Sequence, residues 1–202
     1  MLTRRLALAL VVAAAFAGTA AGAPAARPDD MSLGDPKARI QVIEYASLSC
    51  PHCAHFNEAV FPSLQAKYIA TGKVRYTLKE MLTPPAEIAA AGFLMARCAG
   101  PGRYFKVVDE VFRSQSRWEA GTIKPVLAAI GKANGLNEVA FEACLKDQAA
   151  LDALTARVGR ASEDGVDSTP TLAINGKILP STPMTPAALD AAIAAASKAG
   201  GR

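Results

Sequence analysis

Ile40-Gln41-Val42-Ile43-Glu44-Tyr45-Ala46-Ser47-Leu48-Ser49-Cys50-Pro51-His52-Cys53 is the stretch on which the fold turns. It is apolar as far as Leu48, and Ile40 to Tyr45 reads as a central strand carrying one acid, Glu44. Two cysteines two residues apart follow closely. Helical spacing then continues through Phe56, Ala59, Val60, Leu64 and Tyr68 and stops at Thr71-Gly72. Pro62, inside that helix, predicts a kink. Val74 to Leu78 reads as a second strand, so the pattern is β-α-β with the dithiol at the C-terminal edge of the first strand, where open α/β sheets build their sites. Cysteines this close can form a short-loop disulfide. A helix starting at the motif points unpaired backbone N–H groups at the first sulfur and stabilises its thiolate. A C-x-x-C beside such a pattern reads as redox chemistry.

Other uses of the motif fit less well. Attachment of haem needs C-x-x-C-H, and Ala54 follows Cys53. A zinc site would need further ligands at ligand spacing, which Cys98 and Cys144 do not provide. A soft metal held by Cys50, Cys53 and His55 would be adventitious, so no metal and no dissociable cofactor is expected.

The chain opens with Arg4-Arg5, an apolar run from Leu6 to Ala17 and then small residues to Ala23. That order predicts a secretory signal peptide over residues 1–23, cut between Ala17 and Ala23, because Pro24 disfavours cleavage directly before it. The apolar run is shorter than the ~20 residues of a lasting anchor, and no cysteine follows it to take a lipid. Export implies an oxidising compartment that permits disulfides. The four cysteines can then pair as Cys50–Cys53 and Cys98–Cys144 with none left over. Residues 24–202 suit one domain. The formal net charge of +4 falls to about +2 once Arg4 and Arg5 are removed, and the charges form no stripe, so nucleic acid is not an expected partner.

Asp29 to Lys37 reads as a polar, turn-rich entry. Thr83-Pro84-Pro85 marks a break, after which residues from about 86 to 162 carry helical spacing and no convincing strand. Breaks at Gly100-Pro101-Gly102, around Gly121, at Asn134-Gly135 and near Asp147 predict four or five short helices. Strands return at Thr171 to Ile174 and Lys177 to Leu179, joined by Asn175-Gly176, the strongest short hairpin signal. Thr185 as N-cap and Pro186 behind it start a last helix running to about Ala196.

Three segments then resemble the DsbA family of the thioredoxin superfamily: Gly34-Asp35-Pro36 with the strand to Glu44-Tyr45, Cys50-Pro51-His52-Cys53, and Gly165-Val166-Asp167-Ser168-Thr169-Pro170-Thr171. Together they frame nearly the whole chain beyond the leader. The resemblance implies an α/β, thioredoxin-like fold with an all-helical insertion over about 86–162. It implies that Cys50 is the exposed nucleophile and Cys53 the buried partner. It also implies that Pro51 belongs to the catalytic motif, that His52 tunes the pair through a dipole or charge beside Cys50, and that Glu44 is a buried acid moving protons at Cys53. Lys79 is the candidate partner of that acid. The matching Thr169-Pro170 bond is cis in the family, and Thr169 would offer its backbone to an extended substrate. His55 is expected on the helix surface. Cys98 and Cys144 read as a structural disulfide, with two free buried thiols as the alternative.

The activity so implied is that of a periplasmic thiol:disulfide oxidoreductase working as a dithiol oxidase. Its substrates would be reduced exported proteins. It would be reoxidised by a quinone-linked membrane partner and act as a monomer. A disulfide isomerase or reductase on the same fold is the nearest alternative, although isomerases usually carry a dimerisation segment for which residues from about 24 to 39 leave little room. A soft-metal-binding or chaperone module is the alternative from another class.

Overall fold

The computed structural model describes residues 24–119, 122–180 and 184–199. The expected signal peptide of residues 1–23 and the expected break around Gly121 lie outside them. The expected first strand is β2 (Ile40–Ala46) and the second is β3 (Val74–Glu80), which pair in parallel with Glu44 beside Leu78 and Tyr45 beside Lys79. Both are buried on both faces, as a central parallel pair must be. On the far side β4 (Thr171–Ile174) runs antiparallel to β2, and β5 (Lys177–Ile178) closes the hairpin. Asn175 and Gly176 have φ of 47° and 80°, positive at both central positions as a type I′ turn needs.

The turn-rich entry contains a strand that its polar composition hides. β1 (Met31–Leu33) pairs antiparallel with β3 and gives the sheet order β1-β3-β2-β4-β5. Three residues are too few for an alternation signal, and the pairing is made by β3. Gly34 ends this strand at φ 90°, and a Cβ there would stand 2.5 Å from the Val74 carbonyl oxygen, so the close approach requires glycine.

Helix α1 (Pro51–Ala59) begins directly after Cys50. The predicted kink is a full break: α1 stops before Val60, α2 (Phe61–Leu64) takes Pro62 in its first turn, and one π-helical turn, Gln65–Ile69, completes the segment. Among the described residues the helical block holds five α-helices: α3 (Ala86–Cys98), α4 (Pro101–Ser114), α5 (Ile123–Ala133), α6 (Glu138–Lys146) and α7 (Gln148–Glu163). Asn137 and Asp147 cap α6 and α7 by accepting backbone N–H groups, which explains the breaks there. The last helix, α8 (Pro186–Ala199), is capped by Thr185 Oγ1 at 3.2 Å from the Ala188 nitrogen.

Period-two alternation divides the sheet. Val42, Ala46, Tyr76, Leu78, Leu172 and Ile174 join α1, α3, α4 and α8 in the main core. Ile43, Tyr45 and Ala173 face the other way, under Ala161 and Val166. Glu44 belongs to the first face and Lys79 to the second. Each face buries an ionic cluster. Asp164 accepts from Lys79 at 2.5 Å, from Tyr45 at 2.8 Å and from Arg27 at 3.0 Å. Glu80 accepts from Arg97 and Arg157, each at 2.6 Å, and from Tyr104 at 2.9 Å.

Candidate functional site

The site is assembled at the C-terminal end of β2. Cys50 is the N-cap of α1 and Pro51 its first helical residue, a position where a missing N–H costs nothing. Cys50 and Cys53 are unbonded to each other. The expectation that Cys50 is exposed needs correcting: it retains 6% of its surface and Cys53 none. The reason is the loop ending in the cis Thr169–Pro170 bond, which lies against it with Cys50 Sγ 3.4 Å from the Thr169 carbonyl oxygen.

The two sulfurs are driven apart in acidity. Cys50 is pulled down to about 5, first by the hydrogen bond from the Cys53 thiol, against the cost of burial, then by the Thr169 side chain and the backbone N–H groups of Cys53 and His52. The Thr169 carbonyl serves only the protonated form, as an acceptor. Cys53 is pushed far up, chiefly by burial, then by its hydrogen bond to Cys50 and by the charge of Glu44. One sulfur is therefore a thiolate at neutral pH and the other a thiol.

Glu44 is 2% exposed, so it is an interior acid and does not reach solvent. Its partner is not Lys79. The register puts Tyr45 beside Lys79, on the opposite face, where Lys79 is committed to Asp164. Glu44 Oε2 instead accepts from Tyr76 Oη at 2.6 Å, and Oε1 has no hydrogen-bond partner among the described residues. Burial pushes the carboxyl up to about 7, the Tyr76 hydrogen bond opposes this, and the charge of Cys50 adds to the rise.

His52 and His55 are both exposed and line a groove of about 340 Å³ with Phe56, Thr169, Pro170, Leu172 and Met184. The structure thus gathers Cys50, Pro51, His52, Cys53, Glu44, Thr169 and Pro170 around one end of α1. Cys98 and Cys144 lie elsewhere, joining the end of α3 to α6 in a bond with an S–S length of 2.03 Å. Among the described residues no three His, Cys, Asp or Glu side chains group to hold a metal, and no helix is long and apolar enough to cross a membrane.

Several supporting residues escaped the sequence reading. Gln115, one residue past α4, donates from Nε2 to the Leu48 carbonyl at 2.9 Å and to the Cys50 carbonyl at 3.3 Å, tying the helical block to the dithiol turn. Ser49 Oγ donates to the Thr83 carbonyl at 2.7 Å, and the Thr83 nitrogen donates to Ser47 Oγ at 3.1 Å, beside a second cis bond at Pro84–Pro85. Nothing local marks Gln115 or the serines. Tyr76 was legible in part, because the alternation Val74-Tyr76-Leu78 puts it on one face of its strand.

The thioredoxin family model matches residues 26–195, so the fold is that of the thioredoxin superfamily, with an all-helical insertion. A Rickettsia typhi protein named as a protein-disulfide oxidoreductase is 30% identical over 151 residues, which make up 73% of this chain and 55% of that protein. The chain therefore spans little more than half the length of that relative. The crystal structure of Wolbachia pipientis alpha-DsbA1 superposes with a TM-score of 0.79 at 27% identity, covering 87% of this chain and 94% of that one. Chlamydia trachomatis DsbA shares the fold, with a TM-score of 0.73 at 19% identity over 87% of this chain and 95% of that one. The chain belongs to the DsbA family of the thioredoxin superfamily.

Proposed function

We propose that this chain is an exported thiol:disulfide oxidoreductase that works as a dithiol oxidase, with residues 24–202 as its mature domain. The observation that carries the reading is the divided acidity of the dithiol. With Cys50 at about 5, its thiolate outweighs its thiol roughly a hundredfold at pH 7. A stabilised thiolate favours the reduced form and makes the disulfide a strong oxidant.

In the oxidised enzyme a substrate thiolate attacks Cys50 Sγ. The Cys50–Cys53 bond breaks, its electron pair leaves on Cys53, and Cys53 takes a proton from Glu44, whose carboxyl sits at about 7. A second substrate thiolate then attacks the substrate sulfur of the mixed disulfide. The substrate leaves with a disulfide, and Cys50 departs as the stabilised thiolate. Two electrons have passed from two substrate sulfurs to the enzyme pair. Pro51 holds the first turn of α1, the His52 ring stands at the groove rim to tune Cys50, and Thr169 with Pro170 presents backbone to an extended substrate. Reoxidation falls to a quinone-linked membrane partner, by family resemblance, and the working unit is a monomer in the periplasm.

The deciding measurement is the reduction potential of Cys50–Cys53 against glutathione. A value far above that of cytosolic thioredoxin, about −270 mV, supports the oxidase direction, and a value near it overturns it. Parallel assays with reduced and with scrambled ribonuclease separate an oxidase from an isomerase. A wild type that binds a soft metal through Cys50 but oxidises nothing would favour the metal-binding alternative.

A further inference from the structure

Glu44 and Tyr76 form a buried pair whose geometry is specific. Both are nearly inaccessible, at 2% exposure each. The parallel register sets Tyr76 beside Val42, two residues before Glu44 on the same face, so the tyrosine hydroxyl reaches the carboxyl from the neighbouring strand. The bond is short, 2.6 Å from Tyr76 Oη to Glu44 Oε2. The ring is held by Phe61, with centroids 5.0 Å apart, and by Phe105 at 5.9 Å. These two ring contacts restrict where the Tyr76 hydroxyl can stand.

The other carboxyl oxygen, Oε1, is buried and has no hydrogen-bond partner among the described residues. An orphaned carboxylate oxygen in an apolar interior carries the desolvation cost of that group uncompensated. It is tolerated at sites where it has work to do. The groups around Glu44 limit what that work can be. From α1 the dithiol faces it, and the charge of Glu44 acts on Cys53 while that of Cys50 acts on Glu44. From β3 the register partner of Glu44 is the apolar Leu78, and Tyr76 is the polar group that reaches the carboxyl. Glu80, further along the same face, is held by Tyr104 and two arginines, and the β4 neighbour is the apolar Leu172. From α4 Tyr104 acts on Tyr76 but gives its own hydroxyl to Glu80. The nearby cations are committed, Lys79 to Asp164 and Arg97 and Arg157 to Glu80.

We propose that Tyr76 is a positioning residue whose hydroxyl holds Oε2 of Glu44 and leaves Oε1 as the oxygen that exchanges a proton with Cys53. This rests on the oxidoreductase reading above. When the reduced enzyme meets a small disulfide, the Cys50 thiolate attacks it and releases one thiolate, forming a mixed disulfide. Cys53 then gives its proton to Glu44 and attacks Cys50 Sγ, the mixed disulfide breaks, and the second thiolate leaves. Tyr76 favours the carboxylate, the form able to accept that proton, without itself losing one.

The test is the pH profile of this second step, followed by rapid mixing of reduced enzyme with glutathione disulfide, in wild type and in Tyr76→Phe. The variant keeps the ring and its two aromatic contacts. Its midpoint should rise by about one pH unit, a tenfold change in proton affinity, the size expected from losing one hydrogen bond to a charged group. In a Glu44→Gln background the same Tyr76→Phe change should leave the profile unmoved. A purely structural tyrosine would change unfolding but not the midpoint, so an unmoved midpoint in the single variant overturns the proposal, as does a shift that survives Glu44→Gln. Infrared titration of the Glu44 carboxyl reads the hydrogen bond directly. If wild-type Cys50–Cys53 exchanges with no disulfide at all, the functional reading falls, and this titration alone then decides against Tyr76 if its midpoint stays put.

Discussion

Reducing the Cys50–Cys53 disulfide should make folding stability depend on pH in a way the oxidised protein does not. Cys50 titrates at about 5 when folded and reduced, and at roughly 8.5 in an unfolded chain. Because its folded value is depressed, the unfolded state binds more protons between those two limits, and stability rises with pH there, at most about 1.4 kcal/mol per unit. The contribution is full above the unfolded value and is lost as pH falls through about 5. Integrated from pH 5 to 8 it is about 3.5 kcal/mol in the ideal case. Solvent screening at a sulfur near the surface reduces that to about 2–3 kcal/mol. Glu44 works in the opposite sense: its carboxyl is raised to about 7, so its share is present below the unfolded value and lost as pH rises through 7. It is 2% exposed in the dithiol form, and subtracting the oxidised from the reduced protein removes the part of its share that comes from burial and not from the Cys50 charge. Cys53, pushed up, holds its proton after unfolded thiols begin to ionise, so the difference should bend over above about pH 8. Urea unfolding with and without reductant at pH 5, 6, 7 and 8 measures this. A difference that stays flat within about 0.5 kcal/mol over that range would refute the argument that the folded site stabilises the Cys50 thiolate.

Three further outcomes follow from particular contacts. Gln115→Ala releases the Leu48 and Cys50 carbonyls and should cost about 1 kcal/mol in urea unfolding while slowing exchange with glutathione disulfide; unchanged exchange would mean that the helical block does not steady the dithiol turn. Asp164→Ala strands the fully buried Lys79 and should cost about 3–5 kcal/mol. Lys79→Met leaves Asp164 with Arg27 and Tyr45 and should cost less, so the reverse order in chemical denaturation would contradict the assignment of Asp164 as the hub. Replacing Cys98 and Cys144 by serine opens a loop with a sequence separation of 46 and should remove about 4 kcal/mol by loop-closure entropy; a loss below about 1 kcal/mol would show that the unfolded chain is already constrained there.

The order of elements was open to the sequence because it is carried by local signals. Alternation and apolar runs marked β2, β3 and β4, positive-φ residues marked the Asn175-Gly176 turn, and Asn137, Asp147 and Thr185 capped helices near where breaks were expected. The spacing of Cys50 and Cys53 after a strand was likewise enough to put a dithiol at a helix N-terminus. Other features depend on what lies across the sheet or on another helix. Lys79 and Glu44 are both near the ends of adjacent strands, and only the register and the alternation of faces send Lys79 to Asp164 and bring Tyr76 to Glu44. Whether Cys50 is open or covered is decided by residue 169, more than a hundred positions away, and Met31–Leu33 becomes a strand because β3 offers it an edge. The sequence by itself determined which residues could do the chemistry, since residue type and spacing are local. The tertiary structure alone decided their acidity and their partners, since desolvation and hydrogen bonding depend on what the fold packs around each group.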